Sequence, residues 1–192
     1  MPDLIEAKVF QSKNTVALAR ALLGKVLVIA GPDGVARSGR ICEVEAYEGE
    51  DDLACHASKG RTARTSVMYA AGGVWYVYLC YGVHEMLNLV TGPEDRPSAI
   101  LIRGVEGSVG PGRLTRAFGI DRRFNAKTAS PDTGLWIEDD GFTDPARAIT
   151  ATPRIGVAYA GPIWSMKPWR FFYEPSPAAT SSKTVRPPRG SR

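Results

Sequence analysis

The chain is expected to fold as one mixed α+β domain, and three observations lead there. Its 192 residues suit a single domain with a proper core. Short runs of β-branched and aromatic residues recur along it, bounded by turns that draw on 20 Gly and 14 Pro. Only short helical patterns stand among these runs, and no internal repeat or break in composition divides residues 1–173.

Asn14-Thr15 can cap a helix running to Leu23, with Val16, Leu18, Ala19, Leu22 and Leu23 on its apolar side and Gly24 as its stop. Lys25 to Ala30 reads as a strand, Gly31-Pro32-Asp33-Gly34 as a turn, and Ile41 to Tyr47 as the returning strand of a hairpin. Residues 48–72 are acidic and then basic, mostly loop, with a short helix around Arg64–Tyr69. Gly72-Gly73 should turn the chain into a strand from Val74 to Cys80, with Tyr76 and Tyr78 on one face. Glu85 to Val90 and Ser98 to Arg103 are extended, joined by a hairpin-like loop at 92–97. Gly110-Pro111-Gly112 opens a helix through about Phe118, proline taking the favoured first turn. Leu135–Glu138, Arg154–Val157 and Trp169–Tyr173 read as late strands. From Glu174 onward the chain is Pro, Ser, Ala, Thr and basic residues, and is expected to be a disordered tail over 174–192.

The composition, 44% hydrophobic and 23% charged, is that of a globular protein. No apolar run is long enough for a membrane span, and Met1–Glu6 has no signal-peptide pattern. Cys42, Cys55 and Cys80 are an odd set without metal-ligand spacing, so reduced thiols are expected, with neither a disulfide nor a metal site. The net charge of +4 lies in Pro175–Arg192, where Lys183, Arg186, Arg189 and Arg192 meet no acid; residues 1–174 hold 20 basic and 20 acidic side chains. The pI near 9.0 is therefore weak support for nucleic-acid binding by the folded part. Local clustering such as Lys59-Gly60-Arg61-Thr62-Ala63-Arg64 matters more.

Two clusters carry the candidate chemistry. Tyr76, Tyr78 and Tyr81 crowd a strand that ends at Gly82, and Glu43-Val44-Glu45-Ala46-Tyr47 puts a carboxylate and an aromatic ring on one face of another. Rings that stack on a base, a carboxylate that activates water and a nearby His56 are what a pocket for a flipped nucleobase needs. Taken singly, each residue also fits a blander role: a tyrosine buried in a core, a loop histidine, a solvated arginine at the strand end Arg103. The acidic loop after Glu45 can form a rim. Asn88, inside the apolar run 86–90, either satisfies backbone groups or reads a ligand edge, since a buried amide is costly unless paired. No serine, cysteine or lysine sits in a nucleophile motif, and there is no phosphate-binding loop.

Together these segments resemble the alkyladenine (3-methyladenine) DNA glycosylase family. The resemblance runs through residues 43–47, Ala54-Cys55-His56, Gly60-Arg61-Thr62, Val67-Met68-Tyr69, 76–78, Tyr81-Gly82, Asn88, 100–103, 110–114 and 154–157, and spans about 12–174. It implies a single domain around a curved antiparallel sheet with peripheral helices, and excision of damaged purines from duplex DNA without a cofactor. By position it implies Glu45 as the base that activates water, with Arg103 and the Val157 carbonyl as partners in holding that water. Tyr47, His56 and Tyr78 would wall the base pocket, and Asn88 would crowd the amino group of normal guanine. Tyr81 would fill the gap left in the helix, with Arg61 and Arg64 binding DNA. A monomer without membrane attachment is expected, in the cytoplasm at the nucleoid in a bacterium or in the nucleus in a eukaryote. Ala63 and Thr65 depart from the family's usual proline and asparagine, and Glu85 places an acid near the DNA side. A binding module of the same fold without catalysis is the competing reading; Glu45 and Arg103 discriminate, because a pure binder has no use for a carboxylate aimed at the sugar.

Overall fold

The helix expected after Asn14 is α1, Thr15–Leu22. The Asn14 side-chain oxygen accepts the Ala17 N–H at 2.9 Å, satisfying one of the unpaired donors of the first turn. Gly24, at φ +87°, takes the chain out of it. A computed structural model describes residues 2–31, 34–143 and 148–174. Pro32 and Asp33 of the expected turn, and the tail from 175 onward, lie outside the described residues.

The strands among the described residues are β1 (Asp3–Leu4), β2 (Val26–Ala30), β3 (Ala36–Glu48), β4 (Trp75–Cys80), β5 (His84–Thr91), β6 (Ser98–Val105), β7 (Ser108–Val109), β8 (Leu135–Asp139), β9 (Thr150–Thr152) and β10 (Arg170–Phe172). They form an antiparallel sheet in the order β1-β8-β2-β3-β6-β5-β4, with β10 paired to β3 and β9, and β7 to β6. β3 is the spine. Residues 36–40 pair with β2, and from Ile41 onward it pairs with β6 on one side and β10 on the other. Its register with β6 shifts between Ile41 and Glu43 and again between Glu43 and Val44. Such bulges bend a strand and increase its twist, so the sheet curves where β3 passes between its two halves.

Strand alternation sorts the side chains onto two faces. Val44, Ala46, Trp75, Val77, Leu87, Leu89, Ile100 and Ile102 enter the main core. There they meet α1 and α2 (Pro111–Phe118), which pack on β3 and β5. Each fully buried Val, Leu or Ile among them contributes about 1.5–3 kcal/mol relative to exposure. The alternate residues, Glu45, Tyr47, Tyr76, Tyr78, Asn88 and Leu101, face the other way. A third helix, α3 (Gly161–Ser165), lies near the C-terminal end of the described chain. None of the described helices is long and apolar enough to cross a membrane.

One expectation is extended and one is corrected. Gly72-Gly73 is more than a turn: a Cβ on Gly72 would stand 2.2 Å from the Phe10 carbonyl oxygen, and one on Gly73 would stand 2.5 Å from the Ala7 Cβ. The glycines let the 7–11 turn press against the start of β4. Arg154–Val157 is not a strand. β9 ends at Thr152, Pro153 has no N–H to extend a ladder, and Gly156 sits at φ +76°, so the segment is a turn. Its Ile155 N–H is bonded to a side chain instead, as described next.

Candidate active site

Glu45 is the fixed point of the site. Its neighbours Val44 and Ala46 go to the core, which leaves its carboxyl on the opposite face, 0% exposed. Oε1 accepts the Ile155 N–H at 2.8 Å, and Oε2 accepts the Tyr47 hydroxyl at 2.8 Å. Arg103 Nη1 stands 3.4 Å from the same Oε2. Arg103 also donates from Nε to Glu43 Oε1 at 2.8 Å, and Arg170 Nε donates to that oxygen at 2.6 Å. Burial works to raise the Glu43 carboxyl, but the bonds from Arg170 and Arg103 outweigh it and hold the group below its usual range. Burial likewise opposes the Arg103 charge, and Glu45 and Glu43 more than offset it. The Tyr47 hydroxyl is pushed well up, first by burial and then by the Glu45 charge, so it stays protonated and donates.

Of the residues to which the resemblance gives a role, all but Arg61 line one cavity of about 360 Å³. Glu45 and Arg103 lie in it with Tyr47, His56, Tyr78 and Asn88, and Val157, Arg64 and Tyr81 complete the set. The Tyr76 and Tyr78 rings are 5.2 Å apart, and the His56 ring meets Tyr78 edge-on at 4.7 Å. His56 Nδ1 lies 3.1 Å from the Tyr76 hydroxyl. Burial, and secondarily the Arg64 charge, lowers the His56 pKa to about 4, so the imidazole is neutral at pH 7. Asn88 Nδ2 donates to the Tyr76 and Met86 carbonyls at 3.1 and 3.3 Å. The first of the two alternatives read from its position therefore holds for the amide nitrogen. The Val157 carbonyl accepts the Ala160 N–H at 3.0 Å.

Tyr81 stands at the tip of the β4–β5 hairpin, 93% exposed, with Val83 beside it at 65%. Tyr81 and Gly82 both have positive φ, 51° and 69°, which closes the connection between Cys80 and His84. Arg61 and Arg64, grouped from one basic run, part company. Arg64, exposed overall, reaches over the cavity, its guanidinium 4.8 Å from the centre of the Tyr78 ring. Arg61 lies over Tyr69 at 4.9 Å and is paired with Asp95 at 3.0 Å.

Some groups at the site were not foreseen. Asp52, read as part of an acidic rim, is wholly buried and bidentate to Arg154, at 2.5 and 2.8 Å. The partners lie 102 residues apart, and nothing in either local pattern links them. Tyr159 donates to the Ala54 carbonyl at 3.0 Å and lines the cavity, as Ile155 does. Among the described residues no group of three His, Cys, Asp or Glu could hold a metal ion.

The chain matches the family model described as Methylpurine-DNA glycosylase (MPG) over residues 9–109 and 107–177. A protein of Anaeromyxobacter dehalogenans (strain 2CP-1) is 42% identical over 189 residues, spanning 95% of this chain and 86% of its own length. One from Myxococcus xanthus is 41% identical over 193 residues, 95% of either chain. One from Methanocella arvoryzae is 42% identical, covering 89% of this chain and 93% of its own. All three carry the name "Putative 3-methyladenine DNA glycosylase". These matches run through the glutamate strand, the tyrosine strand and the 154–157 turn alike, and the chain belongs to the methylpurine-DNA glycosylase family of DNA-repair hydrolases, which act on N-glycosidic bonds.

Proposed function

We propose that this chain excises alkylated or deaminated purines from duplex DNA as a monofunctional glycosylase, with Glu45 activating the attacking water. Its substrates are of the 3-methyladenine, 7-methylguanine, hypoxanthine and ethenoadenine type. The observation that carries the reading is the Glu45 carboxylate, wholly buried yet lining an aromatic cavity beside Arg103. A buried carboxylate needs fixed donors, and this one has them on both oxygens, which holds it in one orientation.

The flipped base stacks against Tyr47 and Tyr78, while Tyr81 fills the space it vacates. Stacking is worth ~1–3 kcal/mol per base and hardly discriminates between purines. Selectivity then rests on edge contacts. With its nitrogen spent on two backbone carbonyls, Asn88 is held rigidly at the pocket wall, where it crowds the amino group of an undamaged guanine. A water between Glu45, Arg103 and the Val157 carbonyl attacks the anomeric carbon; Glu45 takes its proton and stabilises the developing sugar cation. A cationic alkylated base leaves without help. A neutral base needs a proton, and His56, neutral at pH 7, does not supply it as an imidazolium. No lysine lines the cavity among the described residues, which supports hydrolysis over a covalent imine.

Single-turnover assays on duplexes with one hypoxanthine or ethenoadenine test the reading. Glu45→Gln should bind lesion DNA as wild type does and excise ~10²–10⁴-fold more slowly. Wild type should leave an unbroken strand with an abasic site. Near-wild-type excision by Glu45→Gln removes Glu45 from the mechanism, and a borohydride-trapped protein–DNA adduct removes the monofunctional assignment.

A further inference from the structure

We propose that the buried Asp52–Arg154 pair is a positioning device for the catalytic carboxylate: it locks the 154–157 turn, and the locked turn sets the orientation of Glu45 and Tyr47. The inference rests on the role given to Glu45 above.

Both side chains of the pair are 0% exposed. Arg154 Nη1 donates to Asp52 Oδ2 and to the Ala46 carbonyl at 2.8 Å, while Nη2 donates to Asp52 Oδ1 and to the Trp164 carbonyl at 3.1 Å. Asp52 in turn accepts the Glu48 N–H at 3.2 Å and the Ala54 N–H at 3.1 Å. One guanidinium–carboxylate pair thus joins the end of β3, the loop leading to His56, the end of α3 and the turn after β9. The guanidinium also lies 4.7 Å from the centre of the Tyr47 ring. The next residue, Ile155, gives its N–H to Glu45 Oε1, and Tyr47 gives its hydroxyl to Oε2. Both oxygens of Glu45 are therefore held by groups that touch or adjoin Arg154.

Stability alone does not account for such a pair. Two apolar residues of similar volume often stabilise a core as well or better, because burying the charges costs about what their attraction returns. Arg154 Nε finds no hydrogen-bond partner among the described residues, a further cost. What the pair supplies, and apolar packing would not, is direction: four fixed bonds from one planar group. A turn freed to shift by an ångström would release Oε1 and let Glu45 rotate away from the water.

The experiment compares Asp52→Asn and the charge-free double variant Asp52→Leu/Arg154→Met with wild type. Thermal melting reports folding, the fluorescence change of an ethenoadenine duplex reports base capture, and single-turnover kinetics report excision. Both variants should capture the base within about 3-fold of wild type and excise it about 10- to 100-fold more slowly, the cost of misplaced reacting groups. The double variant should do so even if it melts as high as wild type, which a purely stabilising role does not allow. Adding Asp52→Asn to Glu45→Gln should change the remaining rate by less than about 3-fold, because the pair acts through Glu45. Should Asp52→Asn fail to fold, the double variant carries the same comparison. Excision within 3-fold of wild type by either folded variant overturns the inference and leaves the role of Glu45 standing. A Glu45→Gln enzyme that excises normally overturns both.

Discussion

His56 links the pocket to pH. Its folded pKa of about 4 lies below the usual 6.5. Between those values the unfolded chain binds a proton that the folded chain refuses. Stability therefore rises with pH across this window, and it is lost as pH falls from 6.5 toward 4, by at most about 3 kcal/mol from this group. His56→Gln should flatten that part of the curve: its melting temperature should drop less than that of wild type between pH 7 and pH 4.5. Equal drops would mean that other groups dominate. Arg64 contributes the smaller share of the shift. Arg64→Gln should raise the His56 pKa measured by NMR titration, but only part of the way to 6.5, since burial is the larger cause. No change would place Arg64 away from the ring in solution.

The β4–β5 hairpin offers a prediction at the scale of an element. Tyr81 holds a left-handed backbone that costs a non-glycine residue about 1–2 kcal/mol, and its ring is almost fully exposed, so packing returns little. Tyr81→Gly should therefore melt no lower than wild type while losing preference for lesion over undamaged duplex. Tyr81→Ala should lose the same preference without gaining stability. Binding curves for both duplexes check this, and a glycine variant with intact preference would take Tyr81 out of lesion capture. The hairpin was legible in the sequence because its signals are local: three tyrosines, a glycine and alternation on either side. The capped helix at Asn14 and the proline-opened α2 were legible for the same reason. The 154–157 segment was not. Its Ile155 and Val157 suggest a strand, but Pro153 and Gly156 decide the backbone and the partner of the Ile155 N–H lies 110 residues away. Asp52 was misplaced on similar grounds: a charged residue in a polar loop looks solvated until a distant partner, here Arg154, takes it inside.

At the scale of the whole molecule, the sheet order could not be read from the chain, because β3 pairs with strands from three separate parts of the sequence, the turn-linked β2 and the distant β6 and β10. That arrangement places β3, with Glu45, at the centre and the β4–β5 hairpin, with Tyr81, at the margin. The central half of β3 has neighbours on both edges, at Leu101 and Arg170 opposite Glu45. Its amides should exchange with deuterium only through global unfolding, whereas those at 81–84 should exchange through local opening. Hydrogen-exchange mass spectrometry with short peptic fragments checks this; comparable protection in the two regions would contradict it. The sequence of failure on heating follows. Grip on the displaced base should loosen while the acid–base centre is still assembled, so a partly opened molecule idles on undamaged DNA instead of cutting indiscriminately. For an enzyme whose product is itself a lesion, being least robust at the step that captures the base is a safeguard.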